Sequence, residues 1–312
     1  MNFSIVVSIY GDGYLAEAFT QEILRIFQFY LQNEHISDKV ELIFVNDGSK
    51  DDSLTMLKTL QTKFNFIKVI DLSRNFGQHA AIACGLKESI GNIVLRMNVD
   101  MQDPPSEIPK LLDLIKTGDY DLVVGQYVVR NSPLINRLTA YCYFYAFKLL
   151  TGFETPQNTS PLRAMNRKFV NAYNALTEKS RFPQGLDQWL GFRHKYIDIE
   201  HKSRIDKRSS YNFYSRLKLA INGLLYFSDR PLMLVIVTGL LFAVIGVVLA
   251  IAFILGKLVG VNYVPGYISI VSLALIGLGL QLGCTGLVGL YVAKIFKEVQ
   301  NRPLYIIREQ YK

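Results

Sequence analysis

Short apolar runs alternate with amphipathic segments over roughly the first 125 residues. Five apolar runs predict buried strands: 3–9, 41–46, 66–72, 93–97 and 122–124. The segments between them repeat apolar residues at helical spacing and predict helices: 15–31, 53–64, 79–89 and 108–116. This alternation predicts an α/β domain, with a mostly parallel sheet covered by helices on both faces.

Two long uncharged runs, 231–256 and 258–293, dominate the C-terminal part of the chain. An apolar helix of about 20 residues spans a bilayer. The runs therefore predict a hairpin of two membrane-spanning helices, 232–255 and 267–292. A pair of buried core helices is the alternative interpretation, but uncharged runs of this length favour the membrane.

Basic residues flank the two predicted spans on their outer sides: Arg216, Lys218 and Arg230 before the first, and Lys294, Lys297, Arg302 and Arg308 after the second. Only Lys257 lies between the spans. By the positive-inside rule, we expect a multi-pass protein of the plasma (inner) membrane with both outer parts in the cytoplasm. The first residues lead directly into an apolar run, so no secretory signal is expected. The three cysteines show no metal or disulfide spacing, which suits a reducing cytoplasm.

These patterns divide the chain into four parts: an α/β domain over 1–212, an amphipathic juxtamembrane helix over 213–230, membrane helices over 231–293 and a C-terminal tail over 294–312. The net charge of +8 suits a protein that works beside anionic lipid heads and binds phosphorylated ligands. Nucleic-acid binding is disfavoured because the chain contains no basic run with interleaved aromatic residues.

Polar residues follow the predicted strands, at the edge of a parallel sheet where ligands bind. Gly11, Gly13 and Ala16 match a dinucleotide fingerprint, but Asp12 lies where a pyrophosphate needs backbone N–H groups, so a nicotinamide site is disfavoured. Asp47 could accept hydrogen bonds from a nucleobase, although the polar run around it could simply cap the next helix.

The third and fourth strands are followed by groups that suit phosphate and metal. Arg74 offers a planar donor fork, and Gly77 permits close backbone approach at a helix start. Asn98, Asp100 and Gln102 alternate, so they would share one face of an extended segment. Their oxygens suit Mg²⁺ or Mn²⁺, and Mg²⁺ leaves several positions to water and substrate phosphate. Taken alone, each loop is ordinary.

Together, the motifs DGS at 47–49, RNxGQ at 74–78 and a D-x-D-like turn running into QDPP at 102–105 resemble family 2 glycosyltransferases with a GT-A fold. With two C-terminal spans, the chain resembles in particular the polyprenyl-phosphate glycosyltransferases, relatives of dolichyl-phosphate mannosyltransferase. The likeness covers nearly the whole chain.

The resemblance implies an enzyme that transfers a sugar from a UDP- or GDP-linked donor to a polyprenyl (undecaprenyl-type) phosphate at the cytoplasmic membrane face, for cell-envelope glycan or glycolipid modification. It implies an inverting displacement that depends on Mg²⁺ or Mn²⁺. The implied partners are the nucleotide sugar, the polyprenyl phosphate and the lipid bilayer. A small-residue stretch at 279–289 suits packing within the hairpin or in a homo-oligomer.

The resemblance also implies roles for individual residues. It assigns the nucleotide sugar to Tyr10, Asp12, Asp47, Arg74, Asn75 and Gly77. It assigns the divalent cation to Asn98, Asp100 and Gln102. It assigns the acceptor phosphate to Arg137, Arg204 and Tyr211, and catalysis to Asp100, Asn158 and Arg163.

Three departures from the family pattern bear on catalysis. Asn98 replaces the first carboxylate of the D-x-D pair, Asn158 stands where many relatives have Asp, and Tyr127 stands where relatives often carry an acceptor-binding Arg. A second hypothesis is therefore a catalytically weak paralogue that acts as a donor-binding membrane partner. A processive polysaccharide synthase is disfavoured because the chain lacks the Q-x-x-R-W motif.

The acceptor chemistry limits the cost of these departures. A phosphate monoester has a second pKa of about 6 and is already nucleophilic at neutral pH. Replacement of a base by Asn158 should therefore impair transfer to a phosphate far less than transfer to an alcohol. Asn98 still offers an oxygen ligand to a metal.

Overall fold

The structure, a computed structural model, describes residues 2–32, 35–127, 148, 158–179, 183–200, 230–259 and 266–312. The described residues fall into two compact units. One unit holds the N-terminal α/β part together with Arg302–Lys312, and the other holds the two long C-terminal helices. The predicted tail, 294–312, therefore contributes its last residues to the α/β unit.

The described part of the α/β unit contains one sheet with these strands: β1 (Phe3–Ile9), β2 (Val40–Asn46), β3 (Ile67–Leu72), β4 (Ile93–Arg96), β5 (Leu122–Tyr127), β6 (Thr159–Asn166), β7 (His194–Ile199) and β8 (Ile307–Tyr311). Their order across the sheet is β7-β5-β6-β4-β1-β2-β3-β8. Strands β1 to β4 are mutually parallel, as are β5 and β7, whereas β6 and β8 run antiparallel to their neighbours. The polar strand ends after β1 to β4 therefore meet at one edge.

The helices of this unit are α1 (Ala16–Leu31), α2 (Ile36–Lys39), α3 (Ser53–Lys63), α4 (Gln78–Glu88), α5 (Ile108–Lys116), α6 (Arg167–Ala175) and α7 (Pro183–Trp189). Short 3₁₀ turns at Gly13–Leu15 and Pro105–Glu107 precede α1 and α5. In α1, Phe19, Ile23 and Phe27 recur at helical spacing and are fully buried in the main apolar core.

Helices cover both faces of the sheet because successive strand residues point to opposite sides. Ile5 and Val7 of β1 join the core formed with α1 and α5. Val6 points to the other side, where α4 packs against it. A Cβ added at Gly85 of α4 would lie 2.3 Å from Val6 Cγ1, so this glycine permits the close approach of helix and sheet.

The structure confirms the α/β prediction and the five predicted strands and four predicted helices, with shifted ends. The largest shift is at β5, which continues to Tyr127 instead of ending at residue 124. The sequence pattern did not predict strands β6, β7 and β8. The residues of β7 and β8 are mixed in polarity because these strands lie at the two edges of the sheet.

The second unit contains α8 (Arg230–Leu258) and α9 (Tyr267–Val299), which include the two predicted spans and extend beyond them. Among the described residues, one stretch, Gly279–Val299, is long and apolar enough to cross a membrane by length and composition. The amphipathic segment 213–230 lies outside the described residues except for its last position. The two-span hairpin therefore stays a prediction.

Candidate active site

The loop after β2 holds the loop after β3 through a buried carboxylate. Asp47 is 2% exposed, and its Oδ1 accepts a hydrogen bond of 2.7 Å from the backbone N–H of Phe76. Its Oδ2 accepts one of 2.9 Å from the N–H of Gly77, at the start of α4. Burial raises the pKa of Asp47, while these hydrogen bonds and the charge of Arg74 act in the opposite direction. Both carboxylate oxygens of Asp47 therefore help to define the loop shape.

Two glycines permit the backbone geometry of these loops, Gly48 by allowing close packing and Gly77 by its positive φ. Gly48 has a φ of +64°, and a Cβ there would lie 2.3 Å from the carbonyl carbon of Arg74. Gly77 has a φ of +96°, which a residue with a Cβ rarely adopts. The backbone of the DGS motif is therefore in direct contact with the RNxGQ loop, and any larger residue at position 48 would separate them.

The loop after β1 is bonded to the same assembly. The N–H of Gly11 donates to Ser49 Oγ at 3.1 Å, and the N–H of Gly13 donates to Ser53 Oγ at 3.1 Å. These are two of the N–H groups that a dinucleotide fingerprint would offer to a pyrophosphate. Both N–H groups are therefore engaged within the protein.

Exposed side chains project from these interlocked loops. Tyr10 and Asp12 are exposed after β1, and Arg74 and Asn75 are exposed after β3. The Arg74 guanidinium lies over the Phe76 ring, with Cζ 4.3 Å from the ring centroid. This contact orients a cation at the sheet edge. The six residues predicted to bind the nucleotide sugar thus lie on three connected loops, with Asp47 and Gly77 shaping the backbone.

The candidate metal motif forms a turn. Strand β4 ends two residues before Asn98, and a turn at 99–100 follows. Asn98 Oδ1 accepts from Gln78 Nε2 at 2.9 Å, and Asp100 Oδ1 accepts from the Gln102 N–H at 3.3 Å. The expectation of an extended segment with three polar side chains on one face is therefore wrong, because the chain reverses there to enter the Gln-Asp-Pro-Pro sequence.

The oxygen donors of this turn meet the needs of a hard divalent cation. No group of three or more His, Cys, Asp or Glu side chains suited to a metal occurs among the described residues. Asn98, Asp100 and Gln102 supply oxygen atoms only, with a single carboxylate. This set fits Mg²⁺ or Mn²⁺ shared with a bound phosphate, since Mg²⁺ is usually held by one or two carboxylates plus substrate oxygens.

A second group of polar side chains lies where β5 ends and β6 begins. Asp103 is 1% exposed, and its Oδ1 accepts from the Tyr127 hydroxyl at 2.7 Å and the Ser160 hydroxyl at 2.6 Å. The Tyr127 N–H donates to the Asn158 carbonyl at 3.0 Å, which places Asn158 beside Tyr127. Burial and the negative charges of Asp103 and Asp100 raise the pKa of Tyr127. Tyr127 thus links the start of the β6 segment, where Asn158 lies, to Asp103, the residue after Gln102.

Two buried arginines lie behind the metal motif. Arg96 of β4 and Arg163 of β6 are direct partners across the antiparallel pair, and they are 7% and 4% exposed. Arg163 forms an ion pair with Asp187 of α7. The Nε of each arginine has no hydrogen-bond partner among the described residues. Arg163, predicted to be catalytic, is therefore buried and engaged with Asp187.

Burial in this cluster favours the neutral forms of its titratable groups. Burial, together with the charge of Arg163, lowers the pKa of Arg96 to about 10. Burial raises the pKa of Asp187, and the charges of Arg163 and Arg96 oppose this effect. Burial and both arginine charges lower the pKa of His79 to about 4, so His79 is neutral at physiological pH.

Sequence reasoning missed Arg96, Asp103 and Asp187. A signal was present for Arg96, because a charge within the apolar run 93–97 must find a partner if that run is a buried strand. No short-range pattern joins Arg96 to Asp187. Arg137, Arg204 and Tyr211, predicted to bind the acceptor phosphate, lie outside the described residues, and that assignment stays a prediction.

The mostly parallel sheet with polar loops at one edge has the topology of the GT-A fold. A solved structure supports the fold: glucosyl-3-phosphoglycerate synthase of Mycobacterium tuberculosis, in complex with Mn²⁺ and uridine-diphosphate-glucose. It is similar with a TM-score of 0.53 and 18% sequence identity, over 73% of this chain and 79% of that chain.

The model of the family described as glycosyl transferase family 2 matches residues 4–173. The chain belongs to this family. It is 32% identical to a glycosyltransferase of Synechocystis, over 99% of this chain and 95% of the relative. It is 30% identical to a bactoprenol glucosyl transferase of Shigella phage SfII, over 100% of this chain and 99% of the relative.

Proposed function

We propose that this enzyme transfers a sugar from a UDP- or GDP-linked donor to a polyprenyl phosphate at the cytoplasmic face of the membrane. The donor part of this proposal is supported by the polar edge of the sheet. Three interlocked loops meet there, and their exposed side chains are Tyr10, Asp12, Arg74 and Asn75. The acceptor half is supported by the full-length similarity to the bactoprenol glucosyl transferase, whose name states that acceptor.

In this proposal, the β1 loop contacts the nucleoside and the β3 loop contacts the diphosphate. The Arg74 guanidinium, held over Phe76, would stabilise the negative charge that grows on the departing diphosphate. Asp47 would act through the backbone of Phe76 and Gly77, whose positions it sets. Its buried carboxylate thus sets the backbone conformation of the site.

Asp100, with Asn98 and Gln102, would hold Mg²⁺ or Mn²⁺ against the donor diphosphate. A bound cation there would supply Lewis-acid stabilisation of the leaving group. The protein must also orient the metal-binding side chains. Gln78 donates a hydrogen bond to Asn98, and the Gln102 N–H donates one to Asp100, so both side chains are held in place before a ligand binds.

The proposed reaction is one in-line displacement. An oxygen of the acceptor phosphate forms a bond to the anomeric carbon while the bond from that carbon to the diphosphate oxygen breaks, and the configuration inverts. The bond-forming electron pair comes from the phosphate oxygen, which is already deprotonated near neutral pH. An amide at Asn158 is compatible with this step. Arg137, Arg204 and Tyr211 would bind the acceptor phosphate.

We further propose that α8 and α9 both cross the plasma membrane. Strand β8 follows α9 in sequence and hydrogen bonds to β3 of the α/β sheet. An odd number of crossings between β3 and β8 would place these two strands on opposite sides of the bilayer. A two-span hairpin satisfies this constraint, and the basic flanks favour a cytoplasmic location for the sheet.

The function is tested with purified full-length protein, a panel of radiolabelled nucleotide sugars, polyprenyl phosphate and Mg²⁺ or Mn²⁺. We expect one donor to yield label that partitions into the organic phase. Nucleotide-sugar binding without transfer from any donor would favour the alternative, a donor-binding membrane partner. Transfer to a free sugar hydroxyl and not to polyprenyl phosphate would overturn the acceptor assignment.

A further inference from the structure

The C-terminal strand reaches the candidate donor site. Strand β8 lies antiparallel to β3, and the pairing continues past the end of β3, where the Ser73 N–H donates to the Ile306 carbonyl at 2.9 Å. Asp71 pairs with Glu309 and Leu72 pairs with Ile307, which leaves Arg308 as the extra residue of a bulge. A bulge redirects a side chain, and here the redirected side chain is Arg308.

Arg308 binds two groups at the end of β3. Its Nη2 donates to the Ser73 carbonyl at 2.6 Å, directly before the loop that carries Arg74. Its Nη1 lies 3.4 Å from Asp71 Oδ2. The Asp71 side chain is 2% exposed, and its Oδ2 accepts no hydrogen bond from the described residues. Arg308 therefore supplies the counter-charge for a buried carboxylate oxygen.

From Asp71, hydrogen bonds continue across the ends of β2 and β1. Asp71 Oδ1 accepts from Asn46 Nδ2 at 2.7 Å, and Asn46 Oδ1 accepts from the Ser49 N–H at 3.4 Å. Ser49 Oγ in turn accepts from the Gly11 N–H at 3.1 Å. The path from Arg308 therefore passes through all three loops of the candidate donor site.

The hydrogen bonds of this path fix the orientation of the Asn46 amide group. Because Asp71 accepts from the Asn46 amide nitrogen, the amide oxygen is turned toward Ser49. A buried carboxylate that loses its cationic partner must move or admit water. Either response disturbs the acceptor that orients Asn46, and with it the hydrogen bond to Ser49.

We propose that Arg308 is a positioning residue for the donor site, through which the segment after the membrane helices holds the nucleotide-sugar loops in their binding geometry. The inference rests on the proposed function for the identity of the ligand. It does not require Arg308 to touch the donor.

The test compares full-length Arg308→Ala, Arg308→Lys and Asp71→Asn with Arg302→Ala, a matched control at an exposed arginine of the same tail. Hydrogen exchange is measured in peptides covering 46–49 and 73–77, and steady-state transfer gives KM for the donor and kcat. In Arg308→Ala we expect faster exchange in both peptides and a roughly three- to tenfold higher donor KM, with kcat within about twofold.

The remaining variants separate positioning from general damage. Arg308→Lys keeps the charge and should recover part of the donor KM. Asp71→Asn should raise the donor KM, and the Arg308→Ala/Asp71→Asn double variant should show less than the sum of the two effects in free energy, since both act on one path. A merely unfolded fraction would lower the apparent kcat and leave KM unchanged.

The two failures are distinguishable. If the unsubstituted protein transfers no sugar, the proposed function is wrong, and exchange in 46–49 and 73–77 still decides whether Arg308 holds the loops. If exchange and donor KM in Arg308→Ala equal those of Arg302→Ala, the positioning role is wrong while the proposed function stands. Faster exchange with an unchanged donor KM would also overturn the role.

Discussion

The carboxylate of Asp47 and the backbone N–H of Gly77, 30 residues apart in sequence, are joined by a hydrogen bond of 2.9 Å. A second bond of 2.7 Å joins the same carboxylate to the Phe76 N–H. The two bonds set the backbone between the exposed Arg74 and the start of α4. The candidate donor site is therefore assembled by contacts between loops as well as by its exposed side chains.

Asp47→Asn should weaken donor binding. An amide offers one acceptor oxygen, and its NH₂ group would face a backbone N–H, so at least one bond to the Phe76–Gly77 segment is lost. A hydrogen bond to a charged group contributes about 1.5–3 kcal/mol, so we expect donor affinity to fall about tenfold or more. Isothermal titration with the nucleotide sugar measures this. Asp52→Asn is the control, because Asp52 is exposed and makes no side-chain cap to α3. Equal affinities in the two variants would contradict the role of Asp47.

Asp100→Asn should abolish metal-dependent transfer, since Asp100 is the single carboxylate in the donor set of the turn. Asn98→Asp should lower the Mg²⁺ or Mn²⁺ concentration needed for half-maximal rate, because a carboxylate binds a hard cation better than an amide. Metal titrations of the transfer rate distinguish these outcomes. Near-normal transfer by Asp100→Asn with metal present would place the cation elsewhere.

Asp187→Ala should strongly destabilise the α/β unit. The substitution leaves Arg163 and Arg96 buried together without the carboxylate that pairs with Arg163. Breaking a buried pair on one side costs about 3–5 kcal/mol, which thermal or chemical unfolding measures. Asp119→Ala, at an exposed position, should change stability by less than about 0.5 kcal/mol. The double variant Arg163→Met/Asp187→Leu should recover part of the loss, because Arg163 is then no longer a buried unpaired charge while Arg96 still lacks the Asp187 carboxylate.

The lowered pKa of His79 predicts that the folded protein loses stability at acid pH. Its pKa falls from 6.5 to about 4 in the folded protein, so between these values the unfolded chain binds the extra proton. This contribution to stability is complete above pH 6.5 and is lost as the pH falls toward 4, up to roughly 3 kcal/mol. The difference between the unfolding temperatures at pH 5 and pH 7.5 should therefore be smaller in His79→Gln than in the unsubstituted protein. His35→Gln, at an exposed position, should leave the difference unchanged.

Asn158→Asp separates a phosphate acceptor from an alcohol acceptor. General-base catalysis contributes about 10²–10⁴ when the nucleophile must lose a proton, and a phosphate dianion has none to lose. We therefore expect less than about a tenfold change in transfer rate. For the unsubstituted protein, the rate should rise with pH near 6 and then level off. A gain of a hundredfold or more in Asn158→Asp would indicate that the acceptor is a hydroxyl.

The amino-acid sequence by itself determined the strand–helix alternation, the two uncharged C-terminal runs and the location of candidate chemistry at strand ends. Each of these depends on periodicity or composition within one continuous stretch of the chain. The motif around Asp100 was found because it follows an apolar run directly. The shape of that motif was not predictable, because whether the chain turns or continues after β4 depends on the groups that Gln78 and Gln102 present to it.

Only the tertiary structure decided which distant residues share a site. Arg308 bonds the Ser73 carbonyl across 235 positions, and Arg163 meets Asp187 from another element. In sequence, Arg308 belongs to a short polar tail and β8 carries no apolar alternation, because an edge strand needs only backbone hydrogen bonds on one side. Such pairings are selected by the packing of the whole sheet, and a contact between residues so far apart leaves no periodic trace in the chain.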